Sequence, residues 1–242
     1  MSRAGAPTQR VGEAARADGT VGASRSSVDR VHAALREKIL AGAYPPGSRL
    51  KLTALATEHD VSFIPVREAL QRLEAERLIR TAPNRGAWVA EISIADMRDI
   101  YETRVVLESH AIRMSIPRLS PQQLEVAEQA LSRMEASFTA GQESESEAYE
   151  HHQEFHFALY EPAGSAWTMH VIRQLWASAE RYLRLAASVR PAPAEFVAEH
   201  RAIFKAVQEA DVSAAVENLT TNLRTTERLL AETYEAVPHR VG

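Results

Sequence analysis

The chain has 242 residues, a formal net charge of −4 and no cysteine. Without cysteine it can form neither a disulfide nor a thiolate metal site, and it has no cysteine nucleophile, which is typical of a protein of the reducing cytoplasm. No apolar run approaches the roughly 18–20 residues of a membrane span, and the N-terminus lacks the apolar segment of a secretory signal, so we expect no membrane partner.

Charge is distributed unevenly along the chain. Residues 1–92 carry fourteen Lys and Arg against ten acidic residues, whereas residues 93–242 carry fourteen against twenty-two. A mildly basic first part and an acidic second part indicate that only the first part meets a polyanion such as DNA. The bias is small and by itself favours DNA binding only weakly.

The first elements are a tail and a helix. Residues 1–27 are rich in Ala, Gly, Ser and Arg and show no lasting periodicity, which predicts a disordered tail. Ser27 is predicted to cap a helix from Val28 to Ala41, whose apolar residues recur on one face. Gly42 and the Pro45-Pro46-Gly47 segment prevent this helix from continuing.

Two short helices joined by a tight connection follow. Thr53 is predicted to cap a helix over residues 54–59. The next helix has Pro65 in its first turn, where the missing N–H is tolerated. Its buried face is predicted from apolar residues at positions i, i+4 and i+7, which are Val66, Leu70 and Leu73.

A hairpin completes the N-terminal part. Residues 78–81 and 87–90 have strand character, and the turn-forming residues 83–86 lie between them. Three helices, a tight turn between the second and third, and a two-stranded wing predict a winged helix-turn-helix domain over residues 28–92. In such domains the helix after the turn enters the major groove of DNA.

Residues 93–236 contain no strand signals. Amphipathic stretches bounded by Pro, Gly or Asp predict six helices, over about 94–116, 121–140, 146–160, 165–188, 194–210 and 212–236. The predicted fold class is therefore mainly α, with a winged helix-turn-helix followed by an all-α six-helix bundle large enough for its own core.

Several segments resemble a known family. "PPGSRL", "LATEHDVSFIPVREALQRLEAERLI" and "NRGAWVAEI" closely resemble the DNA-binding domain of the GntR superfamily of bacterial transcription regulators. "DIYETRVVLESHAIRMSI", "HQEFHFALYEPAG" and "EHRAIFKAVQEADVSAAVENLTTNL" resemble the FCD effector domain of its FadR-like branch, and the short six-helix domain is similar to the VanR-type subgroup. The resemblance spans roughly residues 28–236.

This resemblance implies a function and partners. It implies a homodimer whose winged domains bind a palindromic operator in double-stranded DNA and whose helical domains bind a small effector, often a carboxylate. We expect a repressor that the effector releases, located in the bacterial cytoplasm and on the nucleoid when bound to its operator. The alternatives are a metal-dependent hydrolytic enzyme and a DNA-binding protein without an effector.

The first turn of the recognition helix departs from the family pattern. Phe63 and Ile64 stand where the family commonly has Arg followed by Thr. An Arg there would grip a guanine edge, whereas Phe and Ile can pack only against thymine methyl groups or sugars. Alternatively, Phe63 is tucked under the turn as local core. We expect a half-site that depends less on guanine at this position.

Five more residues are candidate DNA contacts. Ser62 and Thr53 can each reach a phosphate, and Arg67, which keeps a family position, can contact a base or a phosphate. Arg85 and Gly86 at the wing tip can approach the minor groove or the backbone. The structural alternatives are helix capping for Ser62 and Thr53, a solvated charge for Arg67, and a simple hairpin turn for the wing tip.

Three histidines and an asparagine are candidate metal ligands. His152 and His156 are spaced i, i+4 on one helix, and His200 and Asn222 follow on later helices. In metal-binding members of the family the matching positions are usually Asp, His, His and His, so His152 and Asn222 are departures. Three imidazoles suit a divalent metal such as Zn or Ni, and Asn222 can add a weak oxygen ligand or bind the effector. The alternative is a polar cavity without metal.

One arginine is a candidate effector-binding residue. Arg104 matches a family arginine that points into this cavity, where it could pair with a carboxylate. Its structural alternative is an ion pair with an acid such as Glu108. Because His152 replaces the family's Asp, a bound metal ion would keep more of its positive charge, which should favour an anionic effector. The large aromatic residues nearby are expected to pack in the core, namely Trp167, Trp176 and Tyr182.

Overall fold

The computed structural model describes residues 18–83, 85–140, 145–185 and 193–236. The N-terminal elements are α1 (Asp18–Leu40), β1 (Arg49–Leu50), α2 (Leu52–Glu58), α3 (Phe63–Ala75), β2 (Ile79–Ala82) and β3 (Gly86–Val89). The later helices are α4 (Ile94–Ser115), α5 (Pro121–Ala140), α6 (Glu145–Tyr160), α7 (Ala166–Leu185), α8 (Pro193–Gln208) and α9 (Val212–Ala236). Short 3₁₀ turns cover Ile116–Arg118 and Glu161–Ala163.

The N-terminal part is a winged helix-turn-helix. Helices α1, α2 and α3 pack with a three-stranded antiparallel sheet of order β1-β3-β2. The predicted hairpin is confirmed, with Arg80 opposite Trp88 in the register of β2 and β3. Strand β1 was not predicted, because two residues are too few to show a strand period and they become a strand only by pairing with β3.

Two predicted helix starts are wrong. Helix α1 begins at Asp18, so Ser27 lies inside it and does not cap it. Residues 18–27 of the predicted tail belong to this helix, and residues 1–17 lie outside the described residues. Nothing in the composition of the intervening segment explains this early start. Thr53 is the second residue of α2 and does not cap it, because the Leu55 amide already donates to the Lys51 carbonyl (3.0 Å) and so begins the helix earlier.

All six predicted bundle helices are present, and their ends follow from capping chemistry. The Ser93 hydroxyl accepts from the Asp96 amide at the start of α4 (3.2 Å). Before α5, Ser120 and Gln123 exchange side-chain and backbone hydrogen bonds in a capping box. Asp211 accepts from the Ala214 amide at the start of α9 (2.9 Å). Each of these caps joins residues only three positions apart, so the start of each helix is set locally.

Each part of the chain has its own hydrophobic core. The first core draws on residues between Val31 and Val89, and the second draws on residues between Met97 and Ala231. Helix α4 packs against α6, α7 and α9 and so occupies the middle of the bundle. The predicted boundary near residue 92 falls between the two cores. None of the helices in the described ranges has the length and apolar character needed to cross a bilayer.

Candidate functional site

Helix α3 presents one apolar and one polar face. Val66, Leu70 and Leu73 are buried, as predicted, which holds the helix against α1 and fixes its orientation. Arg67 lies on the opposite, exposed side. Ser62 occupies the N-cap position, but its side chain makes no capping bond and is exposed. Both polar side chains are therefore oriented toward solvent, where a DNA backbone or base edge can meet them.

The apolar tip of α3 is also exposed. The side chains of Phe63 and Ile64 are 51% and 63% exposed. The alternative that Phe63 is local core under the turn is therefore wrong. Local core at this turn is supplied by Pro65, which is buried two residues further along.

The wing presents an arginine-rich surface. Arg85 and Gly86 at its tip are exposed, and Gly86 has a positive φ of 113°, which a side chain would strain. The Arg49 guanidinium donates to the Arg85 carbonyl (2.9 Å) and braces the tip. Arg49 and Arg80 lie over the Trp88 ring, at 5.8 and 5.5 Å from its centroid. Sequence reasoning missed these two arginines, because only the strand register brings them together.

The three predicted histidines meet inside the bundle. His152 and His156 project from α6 and His200 from α8, and one ligand nitrogen of each lies within 4.8 Å of the others. The Nε2 atom of His152 is 3.0 Å from that of His200 and 3.1 Å from that of His156. Two ligands on one Zn or Ni ion are separated by roughly 3.0–3.4 Å when each bond is about 2.1 Å, and the two separations from His152 match this range.

The hydrogen bonds around the cluster determine two tautomers. The Nδ1 atom of His200 lies 2.7 Å from the Phe196 carbonyl, which only accepts, so Nδ1 carries the proton. Tyr160 donates to the Glu108 carboxylate, so its oxygen accepts from Nδ1 of His156 (2.9 Å). In both rings Nε2 is therefore unprotonated, and its lone pair is directed toward His152; an unprotonated Nε2 beside a protonated, hydrogen-bonded Nδ1 is the arrangement typical of histidines that bind a metal.

Burial keeps His156 and His200 uncharged at neutral pH. Burial lowers the pKa of His156 well below its ordinary value, and the neighbouring His152 and His200 lower it further. Burial also lowers the pKa of His200 to about 4. Neutral imidazoles are the form that binds metal, so at pH 7 protons do not compete for these two nitrogens.

A buried carboxylate organises the wall beside the histidines. Glu108 is fully buried and accepts from Arg104 Nε (2.6 Å), Trp176 Nε1 (3.0 Å) and Tyr160 OH (2.7 Å). The structure thus contains the ion pair between Arg104 and Glu108 that was considered as an alternative. Burial opposes the charge of Arg104, but the Glu108 carboxylate outweighs it and raises the pKa of the guanidinium. Its role in binding an effector stays a prediction.

Trp176 connects the histidines to this wall. Its ring centroid lies 5.2 Å from that of His152 and 5.1 Å from that of His156, and the Arg104 guanidinium is stacked 4.2 Å from it. The prediction of a core residue is confirmed for Trp176 and Tyr182, but Trp176 also borders the site. For Trp167 the prediction is wrong, because its side chain is 81% exposed.

Two more polar residues lie close to the site. Asn222 is buried, and its amide donates to the carboxylate of Glu199 (2.7 Å), the residue before His200. Its role as a metal ligand stays a prediction. The Tyr101 hydroxyl is buried with no hydrogen-bond partner among the described residues, although the Arg104 guanidinium lies over its ring. Burial raises the pKa of Tyr101 to about 12.

Comparison with protein families and relatives identifies both parts. The profile of the FCD domain matches residues 99–225, just over half of the chain, and that of the bacterial regulatory proteins of the gntR family matches residues 27–89. The chain is a GntR-family transcription regulator with an FCD domain. GntR regulators bind DNA and FCD domains bind small-molecule effectors. The prediction that the chain is a regulator rather than an enzyme is thereby confirmed.

Individual relatives agree with this assignment. The regulator is 30% identical over 199 residues to the uncharacterized HTH-type transcriptional regulator BphR of Paraburkholderia xenovorans (strain LB400), covering 81% of each chain. It is 30% identical over 151 residues to the HTH-type transcriptional repressor GlaR of Escherichia coli (strain K12), covering 61% of this chain and 68% of GlaR. The solved structure of E. coli McbR/YncC shares its fold, with a TM-score of 0.71 at 24% identity, covering 86% of this chain and 98% of that chain.

Helix α7 links the FCD domain of the regulator to its winged domain. One turn beyond Trp176, the buried Glu180 pairs with Arg36 of α1 and with Arg184 of its own helix (2.9 Å). Arg184 also donates to Glu37 of α1 (2.9 and 3.1 Å). Sequence reasoning missed this connection, because a pairing between helices so distant in sequence has no local signal.

Proposed function

We propose that the regulator is a repressor that binds a palindromic operator as a homodimer. The observation that carries this proposal is the solvent-facing side of α3, where Arg67 and the exposed first turn stand beside an arginine-rich wing. A dimer with twofold symmetry presents two such surfaces, and these match two half-sites of opposite orientation. The relative GlaR, whose name describes it as a repressor, supports the direction of regulation.

DNA binding can be tested without knowing the regulated gene. Selection from random DNA should enrich an inverted repeat, and a footprint should protect both half-sites. Sedimentation should give the mass of a dimer for the free protein and the mass of one dimer per duplex for the complex with DNA. A monomer that binds a single half-site, or a protein that enriches no sequence, would contradict the proposal.

Within the FCD domain we propose that His152, His156 and His200 hold a divalent ion such as Zn or Ni. The proposal is supported by the two Nε2 separations from His152 and by the tautomers of His156 and His200, which leave Nε2 unprotonated. Asn222 is the candidate for a weak fourth ligand from α9. A bound ion would supply positive charge and open coordination positions for an anion.

The effector that best fits this environment is a small carboxylate. The Nε atom of Arg104 donates to Glu108, and the remaining N–H groups of the guanidinium can donate parallel hydrogen bonds to a second carboxylate. Aromatic rings of Trp176 and Phe196 lie next to the histidines and favour an organic acid with an apolar portion. The Tyr101 hydroxyl, buried and without a partner among the described residues, offers one more hydrogen bond.

Effector binding is proposed to reach the winged domain through α7. Trp176 packs on the histidines and on Arg104, and a shift of α7 by the ligand would act directly on Glu180 and its partner Arg36. A coupling free energy of about 1–3 kcal/mol is enough to release DNA, and it must be reciprocal, so operator DNA weakens effector binding by the same factor.

The metal role is tested by elemental analysis together with operator titrations. His156→Ala should lose the ion and the response to effector while keeping operator affinity near that of the wild type. His110→Ala is a matched control, because this histidine is exposed on α4 away from the cluster. A metal-free wild type that still responds fully to effector would rule out the metal role and leave an anion pocket built from the same side chains.

A further inference from the structure

The first turn of α3 exposes two large apolar side chains next to each other. Phe63 and Ile64 are 51% and 63% exposed, whereas the positions that follow on the same outward side are polar, namely Arg67 and Gln71. Water-facing apolar side chains that adjoin at the tip of a helix mark a surface that binds an apolar group.

The position of this apolar tip is fixed by the surrounding structure. Val66 and Leu73 are fully buried, so the helix cannot rotate to hide Phe63 without exposing core. Pro65 in the first turn is buried and restricts the backbone. The preceding turn is closed by a hydrogen bond from the Val61 amide to the Ala56 carbonyl (3.1 Å). The two exposed side chains are therefore presented to a partner in a preset position.

We infer that Phe63 and Ile64 recognise the C5-methyl groups of thymines in each operator half-site. The inference rests on the proposed binding of an operator. Residues at the N-terminus of a recognition helix meet base edges in the major groove. The thymine methyl is the apolar group that a base edge displays there, and neither side chain can donate a hydrogen bond to guanine or adenine.

Contact with a sugar is the competing interpretation, and it makes a different prediction. Sugars are the same at every position, so packing against them adds affinity without a sequence preference. Methyl recognition requires thymine at a fixed position in each half-site. Replacing thymine by deoxyuridine removes the methyl group alone and leaves base pairing and sugar unchanged, so it separates the two interpretations.

The experiment begins with the site selected from random DNA. Deoxyuridine is placed at one thymine of the half-site at a time, and affinity is measured by titration. Each contacted methyl should contribute a roughly three- to fivefold difference, the value expected for burying one methyl group. Phe63→Ala and Ile64→Ala should bind the thymine site more weakly and should discriminate less between thymine and deoxyuridine.

Two control variants test whether the thymine preference depends on the apolar side chains at the tip of α3. Val126→Ala removes an apolar side chain of α5 that is also 51% exposed, and it should leave the thymine preference unchanged. Phe63→Leu keeps an apolar tip and should retain part of the preference. Because the replaced side chains are exposed, a circular dichroism spectrum and melting temperature like those of the wild type will confirm folding.

The outcomes separate this inference from the proposed function. If no sequence is enriched from random DNA, operator binding itself fails. If a site is enriched but deoxyuridine leaves affinity unchanged at every position, or a guanine is required opposite the tip of α3, methyl recognition is overturned while operator binding stands. A loss at one or two thymines that disappears in the Phe63→Ala and Ile64→Ala proteins supports the inference.

Discussion

The buried pair of Arg104 and Glu108 gives the sharpest stability prediction. Their side chains are only 3% and 0% exposed, and Nε lies 2.6 Å from Oε1. Replacing Arg104 with Met leaves the Glu108 carboxylate buried with two neutral donors, Trp176 and Tyr160. Removing one partner of a buried pair costs about 3–5 kcal/mol, so we expect the free energy of unfolding to fall by that amount.

A double-mutant cycle isolates the pair. Arg104→Met and Glu108→Gln should each destabilise strongly, and the double variant should lose less than the sum, by roughly 1–3 kcal/mol. Urea unfolding of chelator-treated protein, followed by circular dichroism, measures each free energy. Arg133→Met is the matched control, because Arg133 pairs with Glu154 at 2.9 Å with both side chains about half exposed, and should cost about 0–1 kcal/mol. The reasoning is refuted if Arg104→Met destabilises no more than Arg133→Met.

Three further predictions concern DNA, coupling and pH. Arg67→Ala should weaken operator binding by about 1–3 kcal/mol in a titration, and unchanged affinity in a folded variant would count against its contact with DNA. Glu180→Gln should reduce the effect of effector on operator affinity, whereas Glu154→Gln should not. If the effector changes operator affinity equally in the two variants, transmission of the signal through α7 is excluded. Since the pKa values of His156 and His200 are lowered in the folded state, the unfolded chain binds more protons below about pH 6.5. The stability of metal-free protein in urea should therefore decrease from about pH 6.5 to about pH 4, and a constant or increasing stability over this range would contradict the assignment.

The sequence by itself determined the elements and their order. Apolar periodicity and the Pro, Gly and Asp residues between the amphipathic stretches located the six bundle helices, and Pro65 and the turn at residues 83–86 located the recognition helix and the wing. These signals are local, because a helix face, a cap and a turn each depend on residues within a few positions of one another. The sequence also singled out the three histidines, but for this it needed their resemblance to family positions.

Only the tertiary structure decided how distant residues meet. It placed Trp176 against the histidines, gave His156 and His200 their tautomers through Tyr160 and the Phe196 carbonyl, and paired Glu180 with Arg36 across the two domains. It also showed that Phe63 is exposed, where the sequence allowed either core or surface. Burial, tautomer and long-range ion pairing depend on which helices pack together, and this packing brings together residues that no local pattern relates.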